Sequence, residues 1–200
     1  SYADGVEALR GINFTLDEGE TVAVFGANGS GKTTFLNHLV GLLHGQGVVR
    51  IRGLDVTREN LPAVRQRVGM LFQDSDDQLF MPTVEEDIAF GPLNLGLESE
   101  EVQRRVDACL ADVGLSEVRK RAPHHLSAGQ KRRAALAGLL AMQPDIILLD
   151  EPATFLDPPS KQALIATLTK LPQAKLLVTH DPHLAESLAS RAVFFEAGRI

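Results

Sequence analysis

Gly26-Ala27-Asn28-Gly29-Ser30-Gly31-Lys32-Thr33 fits the P-loop pattern G-x-x-x-x-G-K-[ST], and its flanks supply the context that the pattern requires. Before it, Thr21–Phe25 reads as a buried strand; after it, Thr34–Val40 reads as a helix closed by Gly41. The glycines let backbone N–H groups turn inward without Cβ interference, and the positive end of the helix favours negative charge. The loop Gly26, Ala27, Asn28, Gly29, Ser30 and Gly31, with Thr34 beside it, is therefore expected to wrap the phosphates of a nucleoside triphosphate. Lys32 is expected to reach the β- and γ-phosphates, and the Thr33 hydroxyl to hold Mg²⁺.

Composition bounds the rest. With 200 residues the chain can bury about 70% of its unfolded surface as one domain. A net charge of −6 argues against a nucleic-acid platform, which needs clustered Lys and Arg. The basic runs Arg119-Lys120-Arg121 and Lys131-Arg132-Arg133 are short and read as solvated faces. The single cysteine, Cys109, lies in the apolar series Val102, Val106, Cys109, Leu110, Val113 and reads as a packed core thiol. No apolar run approaches the ~20 residues that span a bilayer, and no signal peptide opens the sequence, so a membrane role is expected to come through a partner. Starting directly in a strand and stopping at Gly198-Arg199-Ile200, where a further strand begins, the sequence reads as trimmed at its ends.

Strands are expected at Ile12–Leu16, Val22–Phe25, Val48–Arg52, Val68–Phe72, Ile146–Leu149, Leu176–Thr179 and Ala192–Phe195, alternating with helices as in a largely parallel covered sheet. Between them lies a helical block. Thr83 and Glu86 form a T-x-x-E box opening a short helix that ends near Gly91-Pro92. A second helix is expected from about Glu100 to Val113 with Gly114 as its stop, and a third from Ser127 through Met142 until Pro144.

A P-loop alone covers many enzymes, and a second strand narrows them. Ile146-Ile147-Leu148-Leu149-Asp150-Glu151 is a buried strand ending in two carboxylates, the Walker B arrangement. Asp150 is placed to bind Mg²⁺, and Glu151 to polarise the attacking water. The segment Leu126-Ser127-Ala128-Gly129-Gln130 at the head of the third helix resembles the LSGGQ signature of ABC ATPases, with Ala128 replacing the first glycine. The physical logic is again a helix N-terminus, with the Ser127 hydroxyl and Gly129 N–H aimed at an anion.

That resemblance covers nearly the whole chain and implies further roles. Gln73, directly after a strand, stands at the family's Q-loop, where an amide touches Mg²⁺ or the lytic water. His180 stands at the switch histidine that contacts the γ-phosphate; its neighbour pattern His180-Asp181-Pro182-His183 is not read as a metal pair. His124-His125 are read as loop residues. Tyr2 stands where an aromatic stacks on adenine. Ala153-Thr154-Phe155-Leu156-Asp157-Pro158 occupies the D-loop, with Phe155 bulkier than the residue usual there and Asp157 retained for a cross-dimer contact. The signature, here Ser127, Gly129 and Gln130, would serve the nucleotide bound by a second chain.

More closely, Gln73–Phe80, Thr83–Leu97 and His125–Arg133 resemble the ATPase of energy-coupling-factor importers of the cobalt and nickel type. The resemblance implies an α/β, RecA-like P-loop NTPase core with a largely parallel sheet, an antiparallel β part and an inserted helical signature subdomain. The chain is expected to be one domain, with the core at approximately 1–79 and 131–200 and the helical part at approximately 80–130. It further implies ATP and Mg²⁺ as cofactors and a peripheral place on the cytoplasmic face of the membrane. The expected partners are a second ATPase chain, either another copy or a paralogue, a transmembrane coupling component and a substrate-binding membrane component. Asp74, Asp76 and Asp77 read from chemistry alone as a solvated acidic turn, while the resemblance puts them beside a docking groove. The cargo of cobalt, nickel, biotin or another vitamin is not legible. A soluble ABC ATPase acting on nucleic acid or the ribosome is the alternative; it would show coiled-coil arms, a tandem cassette or a basic tract, and the sequence has none.

Overall fold

The computed structural model describes residues 7–200, so the expectation for Tyr2 lies outside the described residues. Two compact units are present. One runs through Met70 and takes in Asp145–Glu151 and Pro172–Ile200; the other comprises Leu71–Pro144 and Pro152–Leu171.

The first unit is built on a five-stranded sheet in the order β4-β5-β6-β1-β7, where β1 is Thr21–Gly26, β4 Val68–Leu71, β5 Ile146–Asp150, β6 Ala174–Val178 and β7 Arg191–Phe195. β5, β6, β1 and β7 pair in parallel; Ala23 faces Leu177 on one side and Ala192 on the other. The central strands carry continuous apolar runs because helices cover both faces of such a sheet. Val22, Ala23, Val24, Ile147, Leu148, Leu149, Leu176 and Leu177 are accordingly buried. α1, Lys32–Leu39, follows β1, and its Phe35 packs against Phe14 and Phe195 at ring-centroid separations of 5.5 and 5.3 Å.

Two expectations for this unit need correction, and one element is additional. Ile12–Leu16 joins no ladder among the described residues, where side chains hold it, with Arg191 donating to the Thr15 carbonyl at 2.8 Å and lying over the Phe14 ring. Val48–Arg52 contracts to β2, Arg50–Ile51, which pairs antiparallel with β3, Leu54–Asp55. The turn between them needs positive φ at Arg52 (49°) and Gly53 (81°), the geometry that matches strand twist in a two-residue hairpin. α2, Leu61–Arg67, was not anticipated, because only Val64 of it is fully buried.

The second unit is helical. α3 is Val84–Asn94, α4 Ser99–Asp112, α5 Ala128–Ala141 and α6 Pro158–Lys170; α7, Pro182–Leu188, belongs to the sheet unit. This helical unit extends beyond 80–130, since α5 packs on α3 and α4 and α6 packs on α5. The Glu86 N–H donates to the Thr83 hydroxyl, which in turn donates to the Glu86 carboxylate. α3 does not stop at Gly91-Pro92. A proline in a last turn removes one hydrogen bond without closing the helix, and Gly91 sits where a Cβ would strike Met142. Gly96, with φ 73°, ends the segment. Cys109 is buried and burial pushes its thiol up to about 11, so it is a core group.

The second basic run is not a solvated face, since Arg132 is 4% exposed; in the first, Lys120 and Arg121 are exposed as expected. Arg119 and Lys120 both donate to Glu85 on α3, and the first amides of α3 donate back to Arg119 and Arg121 carbonyls. The Lys120 bond, chiefly, holds the Glu85 carboxyl below its ordinary range. A carboxylate whose native pKa is depressed stabilises the fold above its unfolded value of about 4.3, and that contribution disappears as pH falls through the native value. Glu85→Gln is therefore expected to lower the urea midpoint at pH 7, with the difference from wild type shrinking as pH falls below the ordinary carboxylate range. A constant difference from pH 7 to pH 3 would show that the ion pairs are not its source.

Candidate functional site

The sheet unit gathers one set of polar groups at the carboxyl ends of its strands. β1 ends at Gly26, whose φ of 150° is open only to glycine in practice, and a Cβ there would strike the Phe195 carbonyl oxygen and the Ser30 hydroxyl. The chain then turns through Ala27–Ser30 into α1. Lys32 is nearly buried, and its ammonium donates to the carbonyls of Gly26 at 2.7 Å and Ala27 at 3.0 Å. The Ser30 hydroxyl is buried with no hydrogen-bond partner among the described residues. Asn28 and Gly29 are exposed on the loop. An orphaned hydroxyl and a lysine lodged on loop carbonyls at a helix N-terminus form a site that a phosphate oxygen would complete.

Beside it the Thr33 hydroxyl donates to Asp150 Oδ2 at 2.9 Å, joining residues 117 apart in sequence. Asp150 is 2% exposed. Hard oxygen donors of this kind, a hydroxyl and a carboxylate, suit Mg²⁺. The next residue, Glu151, has φ 47°, and its N–H donates to the Val178 carbonyl at 2.9 Å. His180 Nδ1 lies 2.8 Å from Glu151 Oε2; the histidine side chain is 74% exposed and the glutamate 14%. A carboxylate held against an imidazole can accept a proton from water and keep a defined orientation while doing so. Asp181 caps α7 through the amides of His183 and Leu184, so it is committed to the helix and not to a metal. No cluster of metal-ligating side chains occurs among the described residues.

The helical unit holds the other predicted residues. Ser127 caps α5: its hydroxyl accepts from Gln130 N at 3.2 Å, and Ser127 N donates to Gln130 Oε1 at 3.0 Å. The Gln130 side chain, expected at the nucleotide, is thus engaged in a capping box. Ser127 and Ala128 are exposed at the helix tip. Gly129 is buried, and a Cβ there would strike Ser160 on α6, so close packing alone demands glycine at this position. Asp157 caps α6, accepting from Ser160 N at 2.9 Å; hydrogen bonds from Ser160, its hydroxyl first, hold the carboxyl below its usual range. Phe155 is 89% exposed with φ 62°, and nothing in the structure explains why a bulky side chain stands there. Gln73 is exposed just beyond β4, and its carbonyl accepts from Arg132. Sequence reading missed Arg132, whose charge and place in a basic run pointed to the surface.

Comparison with known proteins shows the family. Residues 9–154 match the family described as ABC transporter. The whole chain is 50% identical to a putative ABC transporter ATP-binding protein of Geobacter sulfurreducens, covering 80% of it. It is 45% identical to the energy-coupling factor transporter ATP-binding protein EcfA of Carboxydothermus hydrogenoformans, covering 75% of that chain. Among solved structures, cbiO1 from Clostridium perfringens, described as part of the ABC transporter complex cbiONQ, superposes with a TM-score of 0.88 at 34% identity. All of this chain and 82% of that one are covered. The ATP-binding cassette MJ0796, a dimer in a post-hydrolysis state with ADP and Pi, superposes with a TM-score of 0.86 at 30% identity over 96% of this chain and 88% of that one.

The close approach at Gly129 generates a test of its own. Gly129→Ala is expected to destabilise by about 1–3 kcal/mol through overpacking against Ser160. In the double variant Gly129→Ala with Ser160→Gly the two losses should sum to less than their separate values, read from urea midpoints. Strict additivity would show that the glycine is not needed for packing.

Proposed function

The chain belongs to the ABC transporter family and is an ATPase, and from that premise we propose that it powers an importer of the energy-coupling-factor type. The EcfA relative and cbiO1 support this reading, as does the likeness of Gln73–Phe80 and Thr83–Leu97 to that family's ATPase. One observation carries the chemistry: two adjoining residues, Asp150 and Glu151, meet the P-loop threonine and His180 respectively.

In this reading Lys32, Ser30 and the amides of the loop hold the β- and γ-phosphates. Thr33 and Asp150 would hold Mg²⁺, with Gln73 as its further contact, and the ion would neutralise charge on the phosphates. Glu151 takes the proton of the attacking water, and His180 keeps the carboxylate in place and faces the γ-phosphate. Two chains enclose two nucleotides, each held by the P-loop of one copy and the Ser127 end of α5 from the other. Two copies of this chain suffice for two working sites. No described helix is long and apolar enough to cross a membrane, so in this reading separate membrane components supply the channel and choose the cargo, a metal ion such as cobalt or nickel or a vitamin such as biotin. The ATPase then works at the cytoplasmic face.

Glu151→Gln is expected to retain ATP binding and lose about 10²–10⁴ in turnover. Lys32→Ala should lose nucleotide affinity, since a charged hydrogen bond contributes roughly 1.5–3 kcal/mol. Ser127→Arg should bind ATP and fail to hydrolyse it. Mixing the Lys32→Ala and Ser127→Arg chains provides the decisive measurement, because a mixed dimer contains one composite site from two unaltered halves. Partial recovery of hydrolysis supports the reading; mixed dimers that form without recovery exclude the shared site. Cargo is read from the small molecule that co-purifies with the assembled complex.

A further inference from the structure

Arg132 lies on α5 one turn beyond the Ser127 cap and is 4% exposed. Its guanidinium meets two backbone carbonyls at the end of β4: Nη1 donates to Phe72 O at 2.5 Å and Nη2 to Gln73 O at 2.6 Å. Burying a guanidinium against carbonyls is an expensive way to pack a helix, and the fork geometry fixes both oxygens relative to its planar head. Both of these bonds are to main-chain oxygens, and Gln73 is exposed.

The neighbouring contacts continue the same attachment. Lys131 Nζ reaches Asp76 Oδ1 at 2.6 Å, and Asp76 N donates to Asp74 Oδ1 at 2.9 Å. Phe72 N donates to the Gln78 side-chain oxygen at 2.9 Å. Farther along, Phe80 N and Met81 N both donate to Asp87 Oδ1 on α3 at 3.0 Å. Residues 72–81 are therefore fastened to α5 at one end and to α3 at the other, all within the helical unit. Of these ties only Arg132 joins the Gln73 backbone to the helix that Ser127 caps.

We propose that Arg132 is a positioning residue that makes Gln73 and the Ser127 end of α5 move as one body. The inference rests on the function proposed above, in which Gln73 attends the nucleotide of its own chain and Ser127 that of a second copy. Any displacement of the loop is transmitted to the signature end by a bidentate, buried contact. Gln73 cannot withdraw while Ser127 stays, so the two halves of catalysis are set together.

The test uses the full chain with Arg132→Met, Arg132→Lys and, as a control on the exposed pair, Lys131→Ala. Hydrolysis is resolved into kcat and KM, nucleotide binding is measured with a fluorescent ATP analogue, and amide hydrogen exchange is followed at residues 72–78 and 127–131. Arg132→Met should lower kcat at least tenfold and speed exchange at 72–78 at least tenfold, while analogue affinity changes less than twofold. Arg132→Lys, which retains a cationic donor, should restore at least a third of wild-type kcat. Lys131→Ala should stay within threefold of wild type. Wild-type kcat and exchange in both Arg132 variants would overturn the proposal, as would a Lys131→Ala loss equal to that of Arg132→Met. Should Arg132→Met melt below the assay temperature, Arg132→Lys decides alone: a two- to threefold fall in kcat with faster exchange at 72–78 supports the grip, and wild-type values for both overturn it. If the wild-type chain hydrolyses no ATP, the proposed function fails, and exchange at 72–78 still decides the role of Arg132.

Discussion

Parallel pairing of β5, β6 and β1 sends the carboxyl ends of three strands to the same edge of the sheet, and the site depends on that alignment. Ligands of open α/β sheets bind outside those ends because every strand there gives way to a loop and a helix N-terminus. Here the first strand delivers the P-loop, the second Asp150 and Glu151, and the third His180. The Thr33–Asp150 bond can close over 117 residues only because β6 separates β5 from β1 by one strand. Strand interiors enclosed by helices are mostly apolar, and the polar groups of the site gather at the strand ends, Asp150 being the last residue of β5.

The helical unit follows a different logic, in which close backbone approach replaces large apolar side chains. α5 buries Ala134, Ala135, Ala137 and Ala141 beside Leu136, Leu139 and Leu140. At Gly138 a Cβ would lie 3.6 Å from the Asp87 carbonyl on α3, an ordinary contact, so small residues bring the two helices together. With so little apolar bulk at the start of α5, its long basic side chains are free to reach inward. Arg132 and Arg133 then cap the carbonyls of Phe72 and Gln73, beyond β4, and of Val113 at the end of α4. Backbone groups that would otherwise be buried without partners receive charge-assisted donors.

What could be read in the sequence was local. The P-loop with its flanks, the apolar strand ending in Asp150 and Glu151, and the stop at Gly114 all declare themselves within about ten residues. The cap at Ser127 was legible for the same reason, although the engagement of Gln130 in it was not. Failures occurred where distant side chains decided the outcome. Ile12–Leu16 alternates like a strand, yet among the described residues Arg191 and Phe35, far away in sequence, hold it without a ladder. Gly91-Pro92 carries the strongest local stop signal in α3, and packing against Met142 overrides it. Arg132 looks solvated in the sequence because a sequence shows charge and not the carbonyls that await it.

Glu151 shows how backbone strain and chemistry coincide. In a regular strand successive side chains point to opposite faces, so a carboxylate placed directly after Asp150 would ordinarily be carried away from its neighbour. A left-handed residue at the strand end breaks that alternation at a cost of roughly 1–2 kcal/mol for a non-glycine side chain. Glycine would relieve the strain and remove the carboxylate, so the position retains the cost. Two contacts from the β6 side hold the conformation: the Glu151 N–H donates to Val178 O, and the carboxylate lies 2.8 Å from His180 Nδ1. Both partners belong to the chain segment just before and after the end of β6, so the conformation of Glu151 is fixed by β6 and not by its own strand. The two contacts thus place the Glu151 carboxylate by reference to β6 and the loop that follows it.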